Sequence, residues 1–364
     1  MEIENKRSYN LDFLKIVSAI MIFLHHYQQT FGVHFSSGVN FYKGYFVFGY
    51  IVELFFIISG FLMFNYILVI QNNDTQFDSW IGHRLLRLLP MVTVSVIVYS
   101  VADFFHLKVL GYTLEYDNGF SIFRTVVAAL GMQGAGAFKN WNINNPLWYV
   151  SVLILCYCWF FVLTKLSKRI SCKPYYLYLA MVFVGILVLE NDITKPFFSY
   201  NEARGYYSFF FGLLLAQYIN TYGVGKIEVC LSAFVLLIST LFVIFKQSYD
   251  LKELGYSCTF LIYPSIIFIS ETSALKRLLT IPALKTIGNI SFNLYLWHVP
   301  LFIIGNLIVK SCGINIDVNN AAFMYLALAI CSVWSIISHF CIERKLNVIL
   351  TRVLNDIKTR RISR

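Results

Sequence analysis

Ten apolar stretches punctuate the chain, at about 11–31, 45–70, 85–105, 147–164, 175–189, 205–222, 227–245, 256–271, 287–309 and 321–342, and they take up most of its 364 residues. About 20 apolar residues in a helix cross the hydrocarbon core of a bilayer. In lipid every backbone polar group must be satisfied within the protein, which leaves helices for segments of this kind. Charged residues make up 13% of the sequence and hydrophobic ones 58%, whereas a soluble domain carries about 25% charged residues. Too few polar side chains remain to coat a water-facing surface. Composition thus excludes an ordinary soluble enzyme, a disordered chain and a secreted cysteine scaffold. The expectation is an all-α integral membrane protein, a multi-pass bundle of about ten transmembrane helices. The weaker stretch at 121–138, with Arg124 and Gln133, reads as an interfacial or re-entrant piece.

The formal net charge is +10. The basic residues lie between apolar stretches, the pattern that orients helices in a membrane, so nucleic acid is not an expected partner. Of the 29 Lys and Arg, 20 fall on the side that carries the N-terminus when alternate loops are counted, and nine on the other. The positive-inside rule then places both termini in the cytoplasm. Residues 1–345 read as one multi-span domain and 346–364 as a basic cytoplasmic tail, with Lys358, Arg360, Arg361 and Arg364 suited to an anionic lipid surface. The eight cysteines show no metal-ligand spacing, and no metal is expected.

Ionisable residues inside membrane spans are costly and mark candidate sites. Lys15 and His26 are eleven residues apart, about 20° beyond three full helical turns, so they project from one face with a rise of about 16 Å. His25 points about 100° away from that face. Glu53, in the second stretch, is expected at a depth comparable with His26, where a carboxylate beside the ring would fix its tautomer and raise its basicity. Arg84 and Arg87, three residues apart at the start of the third stretch, share a face and could clamp a phosphate with two-point hydrogen bonds. Trp148 opens the fourth stretch and His298 lies deep in the ninth. Each has an alternative reading taken alone: His26 as an interhelical hydrogen-bonding residue, the arginines as orientation signals, Trp148 as an interfacial anchor.

Taken together, LDFLKIVSAIMIFLHH (11–26), ELFFIISGFLMF (53–64), HRLLRLLP (83–90), NPLWYVSV (145–152), ISFNLYLWHVP (290–300) and IERK (342–345) resemble, in order, the membrane acyltransferase family 3, bacterial proteins that O-acylate surface glycans. The likeness runs over nearly the whole chain. It implies a ten-helix bundle in the cell membrane. It also implies a cytoplasmic acetyl-coenzyme A donor and a sugar hydroxyl of a surface or exported polysaccharide as acceptor, with glycan-synthesis machinery as a possible neighbour. In the family's first-helix motif a basic residue precedes a histidine by eleven positions, which maps onto Lys15 and His26. Family members often have Arg where this chain has Lys15, and Lys lacks the planar two-point geometry. A glutamate that many members carry after the LWY segment is replaced by Leu153.

The resulting expectation is an integral membrane O-acyltransferase. His26 and Glu53 would be catalytic, Lys15, Arg84 and Arg87 would hold the donor, and Trp148 and His298 would meet the substrate. The alternative from another class is a polytopic exporter of glycan or lipid that performs no acyl transfer, for which polar groups at mid-depth would line a path.

Overall fold

A computed structural model describes residues 8–35, 40–44, 48–72, 75–115, 121–134, 143–245 and 251–352. The fold is all-helical over these residues. In chain order the helices are α1 (Tyr9–Phe31), α2 (Ile51–Met63), α3 (Ile67–Asn72), α4 (Phe77–Leu110), α5 (Ile122–Ala129), α6 (Trp148–Arg169), α7 (Pro174–Glu190), α8 (Tyr200–Tyr222), α9 (Lys226–Phe245), α10 (Leu251–Ser257), α11 (Tyr263–Ser270), α12 (Ser273–Leu279), α13 (Pro282–Ser311) and α14 (Ala321–Ser338). Two π-helical turns, Cys258–Ile262 and His339–Glu343, join α10 to α11 and extend α14.

Each of the ten apolar stretches is helical over its described residues. Six helical segments are long and apolar enough to cross a membrane: Phe48–Asn72, Phe77–Leu110, Asn145–Arg169, Lys252–Ser270, Pro282–Ser311 and Ala321–Arg352. Pro174–Glu190 is apolar but shorter. In α1 and α8 polar residues such as Asp12, Lys15, Glu202 and Arg204 dilute the apolar run. Among the described residues 121–134 the helix is the eight-residue α5, which lies against α4, where Thr93 donates to the Ala129 carbonyl at 3.0 Å. The helix that begins at Ala321 continues to Arg352, so the expected boundary at 345 falls inside a helix. The basic residues from Lys358 onward lie outside the described residues.

Local chemistry sets the helix ends. Gly32 and Gly111 take left-handed conformations past the ends of α1 and α4, closing them with backbone hydrogen bonds. Pro174 and Pro282 open α7 and α13, where a missing N–H costs nothing. The Asn320 side chain accepts from the Ala322 amide and caps α14.

The core is apolar and aromatic, with Trp297, Phe56, Phe160, Tyr206, Tyr207, Phe209 and Phe210 among the largest fully buried side chains. α13 packs against α1, α4 and α14, and α8 against α2, α6 and α7. The outside of the bundle is apolar too. Ile227, Leu231, Phe234, Leu237, Ile238 and Phe242 line an exposed face of α9, and Tyr325, Leu326, Ile330, Val333 and Ile337 one of α14. Contiguous apolar faces of this extent suit lipid, not water.

Candidate active site

The site rests on α1. Lys15 lies near the start of the helix and His26 near its end, on one face as the periodicity requires. His26 Nδ1 is 2.9 Å from Gln29 Oε1. An amide oxygen only accepts, so Nδ1 carries the hydrogen and Nε2 is left with its lone pair. Beside it, from α13, stands His298, with ring centroids 5.1 Å apart and planes at 32°. His298 is fully buried, and its Nε2 has no hydrogen-bond partner. Phe23, Phe302 and Tyr295 surround the His298 ring. The structure therefore brings together His26 and His298, which are 272 positions apart in the sequence.

His25, adjacent in sequence, is differently placed. It is buried, its Nδ1 lies 2.8 Å from the Phe41 carbonyl, and a Cβ on Gly49 would fall 3.2 Å from its ring. Its position is fixed by packing around the loop before α2.

Glu53 departs from expectation. It is fully buried, but its carboxylate is held by Arg204 and does not orient His26. Arg204 Nε donates to Oε1 at 2.6 Å and Nη2 to Oε2 at 3.0 Å, with Tyr207 Oη donating to Oε1 at 3.4 Å. The same Nη2 reaches the Gly49 carbonyl at 3.0 Å. Burying a carboxylate demands a partner charge, and Arg204 near the start of α8 supplies it with the bidentate geometry particular to arginine. The role expected of Glu53 at His26 is occupied by the neutral amide of Gln29. Arg204 sits at the edge of the apolar run 205–222, where a charge reads as a loop residue. The signal that could have found it is the unneutralised Glu53 itself.

Trp148 belongs to this second cluster. The Arg204 guanidinium lies 5.0 Å from its ring, 4.9 Å from that of Tyr50 and 5.5 Å from that of Tyr200, and Phe56 is 6.1 Å from Trp148.

At the other end of the bundle are the remaining candidates. Lys15 forms an ion pair with Asp12 at 3.2 Å, one turn away. Arg84 is half-buried, with its guanidinium 3.2 Å from the Trp80 ring centroid and 4.7 Å from that of Tyr66; Arg87 is exposed. Among the described residues neither arginine pairs with a carboxylate. Two unneutralised guanidinium groups one turn apart suit a phosphate-bearing ligand. Between these arginines and the histidines run Ser59, Tyr149 and Tyr295. Ser59 Oγ lies 3.2 Å from Tyr149 Oη, the Tyr149 and Tyr295 rings are 5.6 Å apart, and Tyr295 and His298 are 5.9 Å apart. Among the described residues no group of three or more His, Cys, Asp or Glu is placed to hold a metal ion.

Searches of curated proteins and of solved structures found no match. A family model for an acyltransferase domain matches residues 8–340, a span that includes every candidate residue described above and nearly the whole chain. The protein is a multi-pass membrane protein of the acyltransferase family 3.

Proposed function

We propose that the protein is an O-acyltransferase of the cell membrane that moves an acetyl group from acetyl-coenzyme A to a sugar hydroxyl of a surface or exported polysaccharide. The observation that carries this reading is the His26 ring: Gln29 takes its Nδ1 hydrogen, so the basic Nε2 keeps its lone pair beside the His298 ring.

With both termini cytoplasmic, Arg84, Arg87 and the Asp12-paired Lys15 stand at the inner mouth and bind the phosphates of the donor. The pantetheine arm follows the polar line of Ser59, Tyr149 and Tyr295 toward the histidines. His26 Nε2 accepts the proton of the acceptor hydroxyl as its oxygen attacks the thioester carbonyl. The carbon–sulfur bond breaks, the thiolate leaves as coenzyme A, and the proton returns from His26 to the sulfur or to solvent. His298 binds at the acyl group. Glu53 and Arg204 fix the α2–α8 pair and the loop that packs on His25, with Trp148 forming part of the same wall. The membrane-embedded glycan-synthesis machinery is the natural source of the acceptor.

The test is acetyl-coenzyme A turnover by purified protein in proteoliposomes, with the glycan fraction of cells lacking the protein as acceptor. Acetylated glycan with wild type and none with His26→Ala is the expected result. Equal products from both would overturn the assignment.

A further inference from the structure

Buried polar atoms without partners are uncommon in folded proteins and call for an explanation. Four groups around the histidine pair carry one. The carboxyl of Glu115, in the loop after α4, receives a hydrogen bond from Thr30 Oγ1 at 2.9 Å on Oε1, while its buried Oε2 has no partner. Asn144 Oδ1, Gln133 Oε1 and His298 Nε2 are likewise buried and unpaired.

These groups are linked in space. Thr30 is four residues beyond His26 on α1, hence on the same face about 6 Å further along. Through its hydrogen bond Thr30 holds Glu115 at the His26 end of α1. Asn144 donates to Ser95 Oγ at 2.9 Å and to the Leu296 carbonyl at 3.2 Å, which ties it to the turn of α13 that carries His298. Gln133 donates to the Asn144 carbonyl at 3.3 Å. Asn144 also holds a left-handed conformation at φ 49°, a strained setting of the kind that concentrates at functional sites.

The orphan atoms of the two amides share one chemistry. The two amides are oriented by their neighbours: Ser95 spends its own hydrogen on the Leu296 carbonyl, at 2.8 Å, and so must accept from Asn144; Gln133 faces a carbonyl, which can only accept. Their free atoms are therefore oxygens. Burial raises the Glu115 carboxyl to about 7, so it can both accept and donate a hydrogen bond near neutral pH. The site lacks donors from a ligand, and lacks them at several points at once. An anion would find acceptors facing it. A compound with several hydroxyl groups on one rigid ring would satisfy them.

We propose that Glu115, Asn144 and Gln133 form the acceptor subsite, in which the hydroxyls of a sugar ring are held beside His26 with Glu115 as the principal contact. This deepens the acyl-transfer reading and rests on it. Glu115 is an acceptor-binding residue at the end of the bundle opposite Arg84 and Arg87, so donor and acceptor enter from different ends.

The experiment measures initial rates in proteoliposomes against acetyl-coenzyme A and against the glycan fraction, lipid-linked and free, of cells lacking the protein. Glu115→Leu is expected to raise the KM for glycan by about tenfold or more, the usual effect of stranding a buried hydrogen-bonding group, while the KM for acetyl-coenzyme A stays within about twofold. Glu115→Gln, which keeps an acceptor oxygen, should recover part of the loss and serves if the leucine variant does not fold. An unchanged glycan KM in the glutamine and leucine variants would overturn the subsite. So would parallel losses toward both substrates with a lowered thermal midpoint, which would make Glu115 a structural tie between α1 and the loop. Absence of acetylated glycan with wild-type protein would overturn the acyl-transfer reading instead, which separates the two failures.

Discussion

His25 and His26 are adjacent in sequence and differently placed. His26 faces another imidazole and has one nitrogen free, whereas His25 is anchored to the Phe41 carbonyl. His26→Ala should lower kcat by at least about 100-fold, the usual contribution of a general base, with normal membrane insertion. His25→Ala should chiefly lower the thermal midpoint. Gln29→Leu tests the tautomer argument: without the amide oxygen Nδ1–H loses its acceptor, and kcat should fall by roughly tenfold while the donor KM holds. Glu115 adds a pH effect. Its folded pKa of about 7 lies above the ordinary 4.5, so the folded state binds more protons and stability falls as pH rises from about 4.5 through 7. Thr30 and the Asn145 amide pull its pKa down, while burial and the neighbouring Asp103 raise it. The thermal midpoint of Glu115→Gln in detergent should drop less than that of wild type across this window, and equal slopes would show that Glu115 does not titrate there. The Lys15–His26 relation was legible because helical period alone fixes it. The partner of Glu53 was not, since Arg204 is selected by packing across helices, which period does not encode; Gln29, three residues beyond His26 on the same helix, was within reach of the periodicity and was missed.

At the level of elements, α2 and α8 carry the closest approach. A Cβ on Gly60 would lie 1.9 Å from the Phe209 carbonyl oxygen, and one on Gly212 would lie 2.2 Å from that of Ile57. Two glycines thus let the backbones touch, the small-residue route to helix packing in a membrane. This close crossing lets the bidentate Glu53–Arg204 pair form between the two helices. Gly60→Ala or Gly212→Ala should push the helices apart and lower stability by about 1–3 kcal/mol. Glu53→Gln should cost more, about 3–5 kcal/mol, because it leaves the buried guanidinium unpaired. Thermal unfolding in detergent ranks the three, and a Glu53→Gln protein as stable as wild type would show that water reaches the pair. On the other side of the bundle, Trp297 donates to Ser338, Ser338 to Asn293, and Asn293 to Glu343, which also binds His339 within a π-helical turn. The segments ISFNLYLWHVP and IERK are therefore one hydrogen-bonded unit holding the His298 helix. The helical nature of all ten stretches was legible from hydropathy, but the glycine contacts and this network were not, because both depend on which helices become neighbours.

For the whole molecule, polarity along the bundle axis organises the chemistry. The start of α1, the end of α2 and the start of α4 gather Lys15, Met63, Arg84 and Arg87 at one end, with Arg84 reaching Met63. The end of α1, the start of α6 and the loop after α4 gather His26, Trp148 and Glu115 at the other. A donor made in the cytoplasm and an acceptor exported from it would meet in the middle only if the arginine end faces inward. On the alternate-loop count made from the sequence, 20 of the 29 Lys and Arg would fall on the side of that end, the orientation that the positive-inside rule favours. Two exposed positions report the orientation: Arg169, at the end of α6, and Asp192, in the turn between α7 and α8. In a background with the eight native cysteines replaced, Asp192→Cys should be labelled by an impermeant thiol reagent in intact cells. Arg169→Cys should be labelled only after permeabilisation. The reverse pattern would put the arginines outside, away from any cytoplasmic thioester, and would remove the donor site from Arg84 and Arg87 while leaving the histidine pair in place.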